Sequence, residues 1–297
     1  MKKNISIIFI FLFAGTSSIA QNNSLFNSEM ELKTFGDSIL RGSNDSVRNS
    51  NCFLFNEKFG QFLSNSETFD YFFDSLKNVS ALKSSDGLIR IYTWLLPAID
   101  GSHYSFFGFL QVKDKKSGAI SLLKMEEAEL KREEAEQKTY DYKNWMGAVY
   151  YKLIQIKSKE GNFYTLIGWK GNNLTTTIKL IDVLYIDKGI AKFGKPVFEV
   201  ENKNRTRIVF EFSAHAVMSL KYDVSKKMIV FDHLSPGNTV LDGSYTNYGP
   251  DFTYDGFKLS KGKWIYQKNI ELKNSSEFDK TSNPSNIKNK DFYKQEK

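Results

Sequence analysis

From Leu88 to Ile270 the chain repeats one local pattern: short runs rich in Ile, Val, Tyr, Phe and Thr, cut by turns of Gly, Asn, Asp and Lys. β-Branched and aromatic side chains suit a pleated, half-buried surface, and the intervening residues suit tight reversals. The runs 89–96, 104–112, 119–123, 148–157, 163–170, 178–186, 197–200, 207–212, 217–222, 228–232, 253–259 and 264–270 each predict a strand. The polar turns 159–162, 187–189, 225–227 and 260–263 predict hairpins, most of them supplying Gly for positive φ. Short strands joined by tight turns pair with their neighbours in sequence. The expectation is a mostly β (α+β) fold, an antiparallel meander of roughly ten or more strands forming a barrel, a sandwich or a small propeller. No segment recurs with a constant period, which counts against the propeller.

The chain before this region has a different grammar. Leu25, Phe26, Met30, Leu32 and Phe35 recur at helical spacing, as do Phe59, Phe62 and Leu63, then Phe69, Phe72, Phe73 and Leu76. They predict helices over 26–40, 54–63 and 66–77, with 42–51 as a loop, so that 21–80 forms a helical N-terminal region and 81–272 a β domain. The stretch 124–138, KMEEAELKREEAEQK, pairs Glu127 with Lys131 and Glu134 with Lys138 at i,i+4. That pattern predicts one charged, solvated helix inserted between β segments, or a charged clamp for a partner. The stretch 273–297 is rich in Asn, Ser and Lys and nearly lacks aliphatic residues, as a disordered tail does.

Residues 1–20 set the expected compartment. Lys2 and Lys3 precede an apolar run over 5–14, followed by small residues ending Ser18-Ile19-Ala20. This is the order of a cleavable secretory signal, with the mature chain starting at Gln21. The apolar run is too short for a bilayer core that needs about 20 residues. No later segment predicts a transmembrane helix, and localisation in the periplasm, on the surface or outside the cell follows. A single cysteine, Cys52, forms no intrachain disulfide, so an exported fold must be held by its core. Its neighbours Phe53, Leu54 and Phe55 mark it as a small buried hydrophobe. The core is well supplied, with 25 Phe and 15 Tyr. Net charge is +7, or +5 without the two signal lysines, and no basic stripe is interleaved with aromatics. Nucleic acid is therefore not an expected partner.

Candidate chemistry is sparse. His103, His215 and His233 show no metal-ligand spacing, so neither metal nor cofactor is expected. Asp232 and His233 end a strong strand, where adjacent side chains point to opposite faces. The most site-like stretch is 248–257, YGPDFTYDGF, which gathers Tyr248, Asp251, Tyr254 and Asp255 in what reads as a Gly/Pro loop. Paired carboxylates serve glycoside hydrolysis and flat rings stack on sugars, although the same residues are ordinary in turns and strands. Trp169, beside Gly171-Asn172-Asn173, marks a second binding loop or a hairpin corner.

Several of these stretches also carry a resemblance. The runs 161–173 (GNFYTLIGWKGNN), 178–184 (IKLIDVL), 207–220 (RIVFEFSAHAVMSL), 228–236 (MIVFDHLSP) and 248–257 (YGPDFTYDGF), followed by Lys263-Trp264-Ile265-Tyr266, resemble a family of uncharacterised secreted proteins from the Bacteroidetes. The resemblance covers about residues 85–272 and implies export and one continuous β domain; it implies no catalytic residues. The leading expectation is an exported periplasmic or envelope protein that binds a ligand or partner, an envelope protein or glycan, without catalysis. The alternatives are a glycan or peptide hydrolase using Asp232, His233, Asp251 and Asp255, and a structural component of an envelope assembly.

Overall fold

The structure, a computed structural model, describes residues 14–237 and 243–271, with side chains from residue 23. Of the expected signal, residues 1–13 lie outside the described residues, as does the expected tail 273–297. Two long helices come first, α1 (Ala14–Arg41) and α2 (Asp45–Leu63). They are followed by β1 (Ser80–Lys83), β2 (Ile89–Pro97), β3 (Tyr104–Lys113) and β4 (Ile120–Met125). A four-residue helix α3 (Arg132–Ala135) precedes β5 (Tyr140–Asp141), β6 (Val149–Ile156), β7 (Phe163–Gly171), β8 (Thr176–Asp187) and β9 (Ile190–Phe193). The remaining strands are β10 (Phe198–Val200), β11 (Lys203–Arg205), β12 (Ile208–Ser213), β13 (Leu220–Asp223), β14 (Met228–Pro236), β15 (Tyr248–Ser260) and β16 (Lys263–Gln267).

The chain is mostly β, and its strands form three sheets with no closed barrel among the described residues. The first has the order β1-β2-β3-β4; the second has β5-β9-β8-β7-β6, with β12 paired to β8; the third has β11-β10-β16-β15-β14-β13. Pairing is antiparallel except between β10 and β16, which run parallel. The layers stack as helices, first sheet, second sheet and third sheet, with an apolar core in each of the three gaps. Phe55 and Phe59 of α2 meet Tyr92, Trp94 and Phe109 in the first gap. Ile91, Leu110, Tyr150, Leu166 and Leu180 fill the second. Ile167, Ile181, Val183, Phe198, Ile229 and Trp264 fill the third.

This stacking explains why β2 and β7 are apolar nearly throughout. In β2, Ile89, Ile91 and Leu95 enter one core while Tyr92, Trp94 and Leu96 enter another. Side chains alternate along a strand, so a sheet covered on both faces has no polar side to show. Hydrogen bonds also cross the gaps: Trp264 Nε1 donates to Thr165 Oγ1 at 2.9 Å, and Tyr150 N donates to Thr93 Oγ1 at 3.1 Å.

Several sequence expectations need correction. The loop expected over 42–51 is largely helix, because Asn44 caps α2 by accepting from Val47 N at 2.9 Å. The helix expected over 66–77 shrinks to a single 3-10 turn, Ser66–Phe69. The charged helix expected over 124–138 is strand at its start and helix only over Arg132–Ala135. Tertiary partners outcompete its local pairs. Glu127 bonds Lys170 Nζ at 2.6 Å and accepts from Phe106 N at 2.7 Å, while Glu134 keeps Lys138 at 3.3 Å.

The rest of that stretch is a strap held by a buried ion pair. Arg207 and Asp182 are both fully buried, with Nε to Oδ1 at 3.1 Å. Arg207 Nη1 also donates to the Ala135 and Lys138 carbonyls, while Tyr150 OH donates to Asp182 Oδ2 at 3.2 Å. Removing one member of a buried pair leaves the other charge without compensation. Arg207→Leu is expected to cost about 3–5 kcal/mol of stability, and Arg207→Leu with Asp182→Leu markedly less. Urea unfolding midpoints measure both.

Candidate functional site

At one edge of the gap between the second and third sheets the layers part, leaving a cleft of about 270 Å³. Phe210 and Glu211 of β12 line one side, and Phe231 and His233 of β14, Asp255 and Phe257 of β15 and Tyr266 of β16 line the other. Arg132 and Glu136 of the strap, Arg205, Tyr245 and Tyr248 complete the wall.

The polar centre is Asp255, which is 1% exposed. His233 Nδ1 lies 2.6 Å from its Oδ2, Tyr266 OH donates to the same oxygen at 2.5 Å, and Asn269 N donates to Oδ1 at 3.0 Å. The strand period produces this meeting. His233 sits two residues from Phe231, Asp255 two from Phe257 and Tyr266 two from Trp264, and each of those rings is buried in the third core. Residues i and i+2 share a face, so each polar group continues a core-facing row to where the gap opens. Burial, then the Asp255 carboxylate, pushes the Tyr266 hydroxyl above the ordinary tyrosine range, which keeps it a donor.

The strap supplies the opposing charge. The Arg132 guanidinium lies 4.6 Å from the centre of the Tyr245 ring, and its buried Nη1 has no hydrogen-bond partner among the described residues. Arg205 is occupied by Glu136 at 2.8 Å. Glu136 also accepts from Val209 N at 2.9 Å, and Glu211 accepts from Thr176 Oγ1 at 2.9 Å and Asn172 Nδ2 at 3.2 Å. Among the described residues, no group of three or more His, Cys, Asp or Glu is placed to hold a metal ion.

The residues singled out in the sequence divide. His233, Asp255 and Tyr248 line the cleft; Asp232, Asp251, Tyr254 and Trp169 do not. Asp232 points away from His233 and accepts from Ser219 N at 2.6 Å. The stretch read as a Gly/Pro loop is strand β15 interrupted by a bulge, in which 251–253 oppose the one residue His233. Asp251 is exposed and spends its carboxylate on Thr253, whose hydroxyl and backbone N–H hold its pKa below the usual range. Tyr254 stands opposite Asp232 in register, outside the cleft. Trp169 packs edge-on against Tyr104 at 5.5 Å and Phe106 at 6.3 Å, on the other side of the second sheet. Arg132, Arg205, Glu211, Tyr245 and Tyr266 were not legible as a site. Tyr266 carries a signal, a polar residue at i+2 from a core aromatic; the others come from separate elements and carry none.

Comparison with family models, curated proteins and solved structures finds no match for this chain.

Titration of Tyr266 has a definite sign. Its folded pKa is raised, so its contribution to stability is complete below the ordinary tyrosine value of about 10 and is lost as pH rises above it. Tyr266→Phe is expected to flatten the loss of stability between about pH 9.5 and 11, measured as the urea midpoint against pH.

Proposed function

We propose that this chain is an exported binding protein of the cell envelope that takes a small polar ligand in the cleft between its second and third sheets. The observation that carries the reading is the fixed imidazole of His233. Asp255 engages Nδ1, and Nε2 makes no hydrogen bond to any described residue, which leaves an acceptor at the cleft wall. Arg132 lines the same wall and brings a positive charge to it, its guanidinium 4.6 Å from the centre of the Tyr245 ring. The volume of about 270 Å³ falls just below the range of roughly 300–1,000 Å³ usual for small-molecule pockets, which suits a ligand of one ring or a short peptide end. Tyr266, Asn269 and the core aromatics hold the donors and acceptors in place before binding, which lowers the entropic cost of complex formation. Export rests on the N-terminal pattern of residues 1–20.

A hydrolase is the second reading, favoured by one observation: a histidine oriented by a buried carboxylate is the geometry of a general base. Of the acids and bases expected for it, His233 and Asp255 meet, whereas Asp232 and Asp251 lie elsewhere. No Ser, Thr or Cys lines the cleft among the described residues, so attack in this reading falls to water or to a carboxylate rather than to a hydroxyl or thiol of those residue types.

A melting-temperature screen of the exported chain against envelope glycan fragments and short peptides separates these readings. A ligand at a hundredfold excess over Kd adds about 2.7 kcal/mol to the folded state. The expected result is a shift with one ligand class that Arg132→Ala and His233→Ala both abolish. A shift that survives both variants, or none with either class, overturns the cleft as the binding site. Turnover of the bound ligand that His233→Ala removes establishes the hydrolase instead.

A further inference from the structure

The two ends of the sheet stack differ in chemistry. Hairpin turns of an antiparallel meander alternate between ends. One end carries the turns 114–119, 157–162, 188–189, 224–227 and 261–262. Asn162 Nδ2 bonds Asp86 Oδ2 at 3.2 Å and Gly262 lies against Ser158, which brings the three sheets' turns together there. Each of these turns contains lysine, Lys115 and Lys116, Lys157 and Lys159, Lys188, Lys226 and Lys227, and Lys261, whereas the turn 84–88 at the same end has none.

The opposite end carries the loops 98–103, 172–175 and 214–219 and the bulge 251–253. Contacts place them in a row. Ile99 N donates to Asp45 Oδ1 at the start of α2 at 2.8 Å, Gly101 lies against Leu174, Ala214 N donates to the Thr175 carbonyl at 2.9 Å, and Gly249 lies against Ala216. None of these four segments contains Lys or Arg, in a chain that has 41. Each exposes a large apolar side chain, Ile99 (51% exposed), Leu174 (62%), Val217 (86%) and Phe252 (92%), where the lysine-bearing turns expose one, Val224 (58%). Single exposed apolar residues are normal on a soluble surface, but three on adjoining loops, with a fourth in the nearby bulge of β15, form a patterned edge.

We infer that this end docks a partner protein presenting an apolar surface flanked by basic side chains. Phe252 is its anchor. It holds φ at +69°, a conformation costly for a bulky non-glycine residue, and its ring is almost wholly in solvent. Asp251 maintains that geometry by accepting from Thr253 N at 3.0 Å and Thr253 Oγ1 at 2.7 Å. A strained, exposed aromatic at the end of a row of aliphatics matches the buried aromatic anchors that dominate protein interfaces. Charge selects the occupant. Asp100 and Asp251 stand among the apolar tips, both held ionised by hydrogen bonds from Ser102 and Thr253 respectively. An anionic lipid leaflet repels those carboxylates and attracts the lysine-bearing end instead. Basic groups on a protein complement them.

The test uses the full chain, expressed in its native host with a photoreactive phenylalanine analogue at position 252 or 174, and at 188 or 261 as controls. The expected result is a discrete protein adduct from 174 and 252, about tenfold weaker from 188 and 261. Asp100→Lys with Asp251→Lys weakens the adduct from 174. Phe252→Gly also weakens it, while the melting temperature stays at or above that of the parent because glycine accepts the positive φ. Equal adducts from both ends, none from 174 and 252, or an adduct indifferent to charge reversal overturns the inference. So does flotation of the purified chain with phosphatidylglycerol–phosphatidylethanolamine vesicles that Phe252→Ser abolishes.

Discussion

Arg207 and Asp182 meet fully buried against the second sheet, and much of the molecule is arranged around them. Isolating either charge at that depth is costly, so both are engaged by protein partners. Asp182 takes the Tyr150 hydroxyl, which in turn accepts from Trp145 Nε1 at 2.9 Å. Arg207 takes the carbonyls of Ala135 and Lys138. A segment whose composition favours a free helix is thereby tied down as a strap, and the strap brings Arg132 and Glu136 to the cleft. The pair thus links the interior of the fold to the wall of its candidate site.

The layered stack gives the cleft its character. Where three layers of sheet pack face to face, the middle one is largely apolar on both sides, and an inward polar side chain is either paired, as Asp182 and Thr165 are, or lies where the layers part. His233, Asp255 and Tyr266 are such side chains, each in line with a buried aromatic two residues away. Their position at an opening lets them be partly wet, and their alignment with the core keeps them rigid. Rigid polar groups at the edge of an apolar gap are what a binding site requires.

Strands were legible because their determinants are local. The 2-residue period, the β-branched and aromatic content and the glycine or lysine turns marked most long strands to within a few residues, as with the run 104–112 and strand β3 (Tyr104–Lys113), but missed the first five residues of β15 and the last four of β14. The short strands β1, β5, β9 and β11, of two to four residues each, escaped because too few residues remain to show a period. The stretch 124–138 misled for a different reason. Its i,i+4 pairs are each worth only about 0.2–0.5 kcal/mol, less than the strand pairing, ion pairs and buried carbonyl contacts available to it elsewhere. Asp251 and Tyr254 misled because a bulge and an Asx turn place the same residues in a chain as a ligand loop does.

By itself the sequence determined that the chain is mostly β with helices at its start, that no disulfide staples it, and that its core must be rich in aromatic side chains. Each of these follows from composition or from a short-range period, since a strand or turn is set by a handful of neighbouring residues. Only the tertiary structure decided that the sheets stack in layers rather than close, that His233 meets Asp255 across 22 residues, that Arg132 reaches the same cleft, and that four apolar tips share one end. Those outcomes depend on which strand lies beside which and on where a buried charge finds its partner. Both are set by packing among residues far apart in the chain, and no local pattern encodes them.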